Sequence, residues 1–359
     1  KDSKPTSNAG RRRARLAGLR LNKKRSERMA NKLDFPVAIT RKTVGVSERG
    51  FGTILILDTE NDKKFELIDE QTATKMTGKA GKIAKRLFMQ KPKPHEVAIY
   101  GKKGTAAAAI AAAIEEHQGD FFWVVCTDNS VEAIKAIAET AQVNSKLYGV
   151  TINDLAAAKQ LADLESENTF IAYHNNPDAY LAEGLAVIMS YNIGGKTAKF
   201  KKVEGVEAAN VTMTQEQELE KNNIFTYKRK LGVLQTTEGK CKSGEYIDIV
   251  LGEYWIRFRM EEALQRLAVT EDKIPYTAKG IAMLVGECEK ILSRAVAQGI
   301  VEANQYVVDY LDRSQVPAND VALRKYDYIR WTAMLQGAIH TGQISGILTY
   351  DMISSEVNR

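Results

Sequence analysis

The sequence predicts an α/β fold: a doubly wound, mostly parallel sheet followed by an α+β region, with extended β-strand segments near both ends of the chain. Three observations carry this. Between residues 96 and 203, short apolar, β-branched runs alternate with stretches of helical length, the order that right-handed crossovers turn into a parallel sheet. Those runs are apolar throughout rather than alternating, as in strands buried on both faces. The segments near the two chain ends are strand-like, one by its period of two and the other by its β-branched composition.

Residues 1–28 hold four lysines and seven arginines against Asp2 and Glu27, a net +9, so the other 331 residues carry −3 of the chain's +6. This is the composition of a disordered segment. It reads as an arm for nucleic acid or another polyanion, as a solvated tail, or as sequence upstream of a native start at Met29. The aromatic interleaving of single-strand binders is absent. Leu33, Phe35, Val37 and Ile39 then alternate with Asp34, Pro36, Ala38 and Thr40, which predicts a strand with one apolar face. Pro36 cannot donate to a ladder, so this is an edge strand, pairing within its own domain or with a neighbour's sheet edge.

A glycine-punctuated turn over 47–52 leads into a buried strand at 53–57, a polar turn at 58–62 and partly helical sequence over 72–89. Pro92 and Pro94 mark a rigid joint. The four alternating units follow, with strands at 97–100, 123–126, 147–152 and 170–173 and helices at 105–117, 130–141, 153–164 and 179–189. Ser130 and Asn153 are placed as N-caps. After a linker at 204–213, Thr214 is expected to cap a helix. Strands are expected at 223–237, with Gly232 as a turn or bulge, and at 245–250. A helix over 252–267 carries Trp255, Phe258, Leu264 and Leu267 on one side, with Arg257, Arg259, Glu261, Glu262 and Arg266 among its charges. Thr277 caps a second helix running to Gln298-Gly299 with an apolar stripe from Ile281 to Leu292. Residues 343–353 are again strand-like, with Ile344, Leu348, Tyr350 and Met352 on one face.

Chemistry finds little purchase. Ligands of such sheets bind at the carboxyl ends of strands, here Gly101-Lys102-Lys103-Gly104, Thr127-Asp128-Asn129-Ser130, Asn153-Asp154 and His174-Asn175-Asn176-Pro177-Asp178. None has G-x-G-x-x-G spacing. Gly194-Gly195-Lys196-Thr197 ends like a phosphate loop, but Ser190 stands where its first glycine belongs. The cysteines (Cys126, Cys241, Cys288) are too sparse for a disulfide framework or a zinc site, which fits a reducing cytoplasm. The histidines (His95, His117, His174, His340) lack ligand spacing. No catalytic residue, metal or cofactor is assigned. No apolar run reaches spanning length, and no signal peptide is expected.

Several stretches together resemble the contractile phage tail sheath proteins, in the branch long known as a phage domain of unknown function. They are Lys273-Ile274-Pro275-Tyr276-Thr277-Ala278-Lys279-Gly280-Ile281, Glu253-Tyr254-Trp255-Ile256-Arg257, Gly337-Ala338-Ile339-His340, Val357-Asn358-Arg359 and Val46-Ser47-Glu48-Arg49-Gly50-Phe51-Gly52. The resemblance spans about 33–359. It implies a structural subunit that polymerises into stacked six-fold rings around a tail tube protein. Baseplate and tail terminator proteins are the further partners, and the virion, assembled in a host bacterial cytoplasm, is the location. It also implies an outer α/β domain at 96–205 whose subtilisin-like character is one of fold alone, an inner α+β domain at 206–342, and a strand/helix part at 46–95 leading into the outer domain. Arms at 29–45 and 343–359 would exchange strands with adjacent subunits through Leu33, Phe35, Val37, Ile39, Ile344, Leu348, Tyr350 and Met352. The leader at 1–28 has no counterpart in the family pattern. Neither membrane insertion nor nucleic-acid binding is expected. The alternatives are a nucleotide- or sugar-phosphate-binding α/β enzyme, which rests on fold analogy, and a nucleic-acid-binding protein using 1–28.

Overall fold

The computed structural model describes residues 51–346. Its centre is a seven-stranded sheet of order β2-β3-β1-β4-β5-β6-β7. The strands are β1 (Ile54–Asp58), β2 (Lys63–Ile68), β3 (Val97–Gly101), β4 (Trp123–Cys126), β5 (Leu147–Ile152), β6 (Thr169–Tyr173) and β7 (Ile224–Phe225). All neighbours pair parallel except β2, which runs antiparallel on the β3 edge. The sheet therefore draws strands from before residue 96 and after residue 205, and β1 sits inside it between β3 and β4.

β1, β3, β4, β5 and β6 are buried at every position. That is why their sequences are apolar throughout: with side chains alternating between faces, both faces need apolar cover. Ile54, Ile56, Trp123 and Phe170 point into one apolar cluster, and Leu55, Leu57, Val124 and Tyr148 into another. Helix α1 (Glu70–Lys75) precedes α2 (Gly78–Phe88), which joins α6 (Leu181–Ser190) over the first face through Ile83, Leu87 and Leu185. Helices α3 (Ala106–His117), α4 (Val131–Val143) and α5 (Leu155–Gln160) cover the second with Ile110, Ile134, Ile137 and Ala158. Close fit is visible at Gly149, where a Cβ would meet the Phe170 ring at 2.4 Å.

The remaining elements are α7 (Met213–Lys221), a hairpin of β8 (Tyr227–Lys230) and β9 (Val233–Thr236), long helices α8 (Ile247–Thr270) and α9 (Ala278–Gln298), short α10 (Ala318–Ala322), and an antiparallel ribbon of β10 (Val301–Asp309) and β11 (Arg330–Leu335). Trp255, Phe258 and Leu292 of α8 and α9 extend the first-face cluster, so apolar contact is continuous from the sheet into these helices. Gly232 turns the β8–β9 hairpin at φ +84°, and Thr277 caps α9 by accepting from Gly280 N–H, as expected. All three cysteines are buried and free.

Several elements differ from the sequence reading. The cap of α5 is Asp154 rather than Asn153, its Oδ1 accepting from Ala156 N–H at 2.9 Å, and the helix ends at Gln160, short of the expected 164. Thr212 rather than Thr214 caps α7, in a capping box with Gln215 that satisfies two end groups reciprocally. Residues 247–250 are the first turn of α8, not a strand, because Ile247, Val250, Leu251, Trp255 and Phe258 continue one helical stripe into the core. Arg259, expected on the charged side, is buried and paired with Glu262. Strands β2 and β10 lie where the sequence reading placed no element.

Candidate assembly surface

The strand-end loops hold their polar groups for themselves. Asp58 accepts from Glu60 N–H and the Asn61 amide, Thr127 Oγ1 accepts from Thr59 N–H, and Asp62 accepts from Lys103 N–H. Asn129 Nδ2 donates to Thr151 C=O at 3.0 Å, and His174 is buried between Glu207 C=O and Asn176 N–H. These are caps and Asx-type turns, with donors and acceptors already spent.

The Gly194–Thr197 stretch follows the end of α6 instead of linking a strand to a helix start, so it lacks the setting of a phosphate loop. It borders a cavity of about 260 Å³ together with Lys201, Asp248 and Gly299. Lys196 Nζ is turned toward the carboxyl end of α6, donating to Ile188 C=O at 3.2 Å. Burial, and then Lys201, pull its ammonium below the ordinary lysine range. Burial pushes the Cys126 thiol up to about 12, which leaves it a poor nucleophile. No group of three or more His, Cys, Asp or Glu is placed to hold a metal among the described residues. No helix among them is long and apolar enough to cross a membrane.

Helix α6 carries one ionisable residue, the buried Glu183. In the fold it accepts from Thr151 N–H at 3.0 Å and from the Thr151 hydroxyl, closing the carboxyl end of β5 against α6. Burial raises its pKa, against the opposing pull of the Thr151 hydrogen bonds. Beside it Arg86 donates to Glu204 C=O and Asp178 C=O. The group is structural glue between α2, α6 and the 203–206 turn.

The β10–β11 ribbon is one surface that is not self-satisfied. β10 and β11 pair with each other and with no further strand among the described residues, leaving an unpaired ladder on each outer edge. The register runs Tyr306↔Ala333, Val307↔Thr332, Val308↔Trp331 and Asp309↔Arg330, with an irregularity between Val301 and Tyr306. Tyr306, Val308 and Ala333 pack partly on the core. Val307, Trp331, Met334 and Leu335 are exposed, Val307 by 58% and Met334 by 60%. The chain then leaves the ribbon toward Ile344, which is 99% exposed and outside regular structure. Of the other residues assigned to strand exchange, Leu33, Phe35, Val37, Ile39, Leu348, Tyr350 and Met352 lie outside the described residues. The ribbon was missed in sequence because Glu302, Ala303, Asn304 and Gln305 interrupt the strand pattern. Asn304 sits at φ +60° within that irregular stretch. The signal that was available is Tyr306-Val307-Val308 and Trp331-Thr332, aromatic and β-branched runs without helical period.

No protein-family model and no curated protein matches the sequence. Solved structures do match in fold. A chain of the anti-feeding prophage baseplate, six-fold symmetrised, aligns at TM-score 0.64 and 15% identity over 89% of this chain and 100% of that one. A chain of the anti-feeding prophage helical sheath in its contracted state aligns at 0.63 and 13%, over 89% and 99%. A chain of the PVC sheath complex, an extracellular contractile injection system in its contracted state, aligns at 0.62 and 11%, over 89% and 98%. This chain thus shares its mixed α/β fold, with a mostly parallel sheet, with chains from the sheaths of contractile injection systems.

Proposed function

We propose that this chain is a structural subunit of a contractile sheath, working by assembly and not by catalysis. The observation that carries the reading is the extent of the fold correspondence: 89% of this chain against 98% and 99% of two chains from contracted sheaths. In this reading, copies form six-fold rings stacked helically around a tail tube, bounded by baseplate and tail terminator proteins, in the tail of a phage or phage-like particle. Contraction drives the tube through the host envelope. Residues 96–205 face outward and 206–342 lie nearer the tube. The segments 29–45 and 343–359 extend as arms, laying Leu33, Phe35, Val37 and Ile39, and Ile344, Leu348, Tyr350 and Met352, along the sheet edges of neighbouring copies.

The free edges of the β10–β11 ribbon support it as the acceptor of those strands. Strand addition supplies affinity through main-chain hydrogen bonds, while exposed side chains such as Val307 and Trp331 supply selectivity. A joint of this type survives rotation of the bodies it links, because the link between strand and body absorbs the motion.

Electron microscopy of the purified chain tests the reading. Tubes or stacked rings are expected, and a chain lacking residues 33–40 should stay folded and fail to polymerise. Normal tubes from the truncated chain would remove the arm model; discrete monomers from the full chain at every salt and concentration tried would remove the sheath reading itself.

A further inference from the structure

A pocket of about 270 Å³ opens where α8 hands over to α9, lined by Ile274, Pro275, Tyr276, Ile281 and Tyr326, with Arg324 as its one charged wall. The Tyr276 hydroxyl donates to Lys325 C=O at 2.7 Å and the Tyr326 hydroxyl to Leu311 C=O at 2.6 Å, so both rings offer the pocket apolar surface. They meet edge-on with centroids 6.0 Å apart. A Cβ on Gly280 would lie 1.8 Å from the Pro275 carbonyl oxygen, so helix and loop already touch and the pocket is preformed. An apolar cavity of about 150 Å³ takes a benzene ring, and this one has room for a branched side chain.

Arg324 is out of place in two respects. It stands at φ +57° one residue beyond the cap of α10, a position that favours glycine. Its side chain is exposed and makes no hydrogen bond or ion pair among the described residues. The charges beside it are engaged: Lys325 with Asp327 at 2.6 Å, Arg313 over the Tyr276 ring, and Asp320 with the Tyr328 hydroxyl. The pocket also lies at one end of the ribbon. Leu311, held by Tyr326, follows β10 by two residues, and β11 begins four residues after Tyr326. A strand added antiparallel to the outer edge of β11 therefore ends at the pocket.

We infer that this pocket anchors the C-terminal segment of a second copy, with Ile353 in the apolar well and Asp351 on Arg324. For the segment's course this rests on the strand-exchange reading. Residues 344–352 are nine in number, the length of β10, so a segment laid along the ribbon brings residues 351–353 to its end. Asp351 and Ile353 share one face of a strand, which sets a carboxylate two positions before a branched apolar side chain. Charge selects this segment over the N-terminal one. Residues 29–45 carry Lys32, Arg41 and Lys42 against Asp34, whereas residues 343–358 carry Asp351 and Glu356 and no Lys or Arg. The first would meet Arg324 with like charge. The second meets it with opposite charge, partly sheltered from water by the apolar walls.

The probe is a fluorescent peptide of residues 343–359, read by anisotropy against the full chain carrying Ile353→Asp, which disables its own segment. The parent peptide should bind, and a peptide with Ile353→Asp should not. Adding Arg324→Glu to the chain should weaken the parent peptide at least about fivefold, the upper end for an exposed ion pair. A peptide with Asp351→Lys should recover that loss on the Arg324→Glu chain and on no other. Arg324 is exposed, so the variant keeps the core intact. A parent peptide that binds the Arg324→Glu chain undiminished, a reversed pair that does not recover, or tighter binding by a peptide of residues 29–45 would each overturn the anchor. Electron microscopy decides the sheath reading separately. Tubes from a full chain that ignores the peptide would remove the anchor and leave that reading standing, and peptide binding by a chain that forms no polymers would do the reverse.

Discussion

The sheet and the ribbon use the same backbone pairing to opposite ends. In the sheet, β1 is hydrogen-bonded on both sides and buried at all five positions. In the ribbon, β10 is paired on one side only and buried at Val301 alone, with its other positions half-buried or exposed. A strand finished on both edges contributes stability and nothing else can join it. A strand left open on one edge contributes little to its own fold and is available to another chain. Stability and assembly should therefore separate by region, and substitutions can test that separation.

The largest effect belongs to the sheet. Trp123 is fully buried and its indole N–H donates to Phe51 C=O at 2.8 Å. Trp123→Ala should cost about 3–5 kcal/mol in denaturant unfolding. Glu183→Ala should cost about 1–3 kcal/mol, since it strips the acceptor from the buried Thr151 N–H. Glu183→Gln keeps an acceptor and adds a pH signature. Burial raises the folded carboxyl above its unfolded value, so its contribution is complete below the ordinary carboxylate range and is lost as pH rises through the folded value. The glutamine chain should therefore gain on the parent as pH is raised from about 4 to about 7, measured by unfolding at each pH. Thr212→Ala removes a capping box and should cost about 1 kcal/mol in the same assay. Smallest in stability is Val307→Lys on the ribbon, within about 0.5 kcal/mol of the parent. That same change should abolish polymers in the microscope. An unstable Val307→Lys chain, or one that polymerises normally, would break the separation.

The same contrast explains what the sequence disclosed. The strands from Val97 to Tyr173 were legible because burial on both faces forces unbroken apolar runs, and Ser130 and Thr277 because a cap needs a side-chain acceptor at one position. β2 was hidden because it is an antiparallel edge strand whose Lys63, Lys64 and Glu66 face solvent, leaving a polar pattern that also describes a turn. The start of α8 was misread because Ile247, Ile249 and Val250 are β-branched, and only packing of Trp255 and Phe258 on the first-face cluster decides for helix. The ribbon was hidden because Glu302, Ala303, Asn304 and Gln305 interrupt the apolar pattern of its first strand. The contacts of His340 with Thr197 and Glu238 were beyond reach altogether, because the three residues share no spacing and meet only through the fold.

The central claim is that the β10–β11 ribbon is completed by strands from other copies. A cryo-electron microscopy reconstruction of polymers of the full chain, resolved well enough to trace backbone, tests it most directly. The account predicts extra strands on the outer edges of β10 and β11, traceable to residues 29–45 or 343–359 of adjacent copies. Polymers in which both edges stay bare would contradict it.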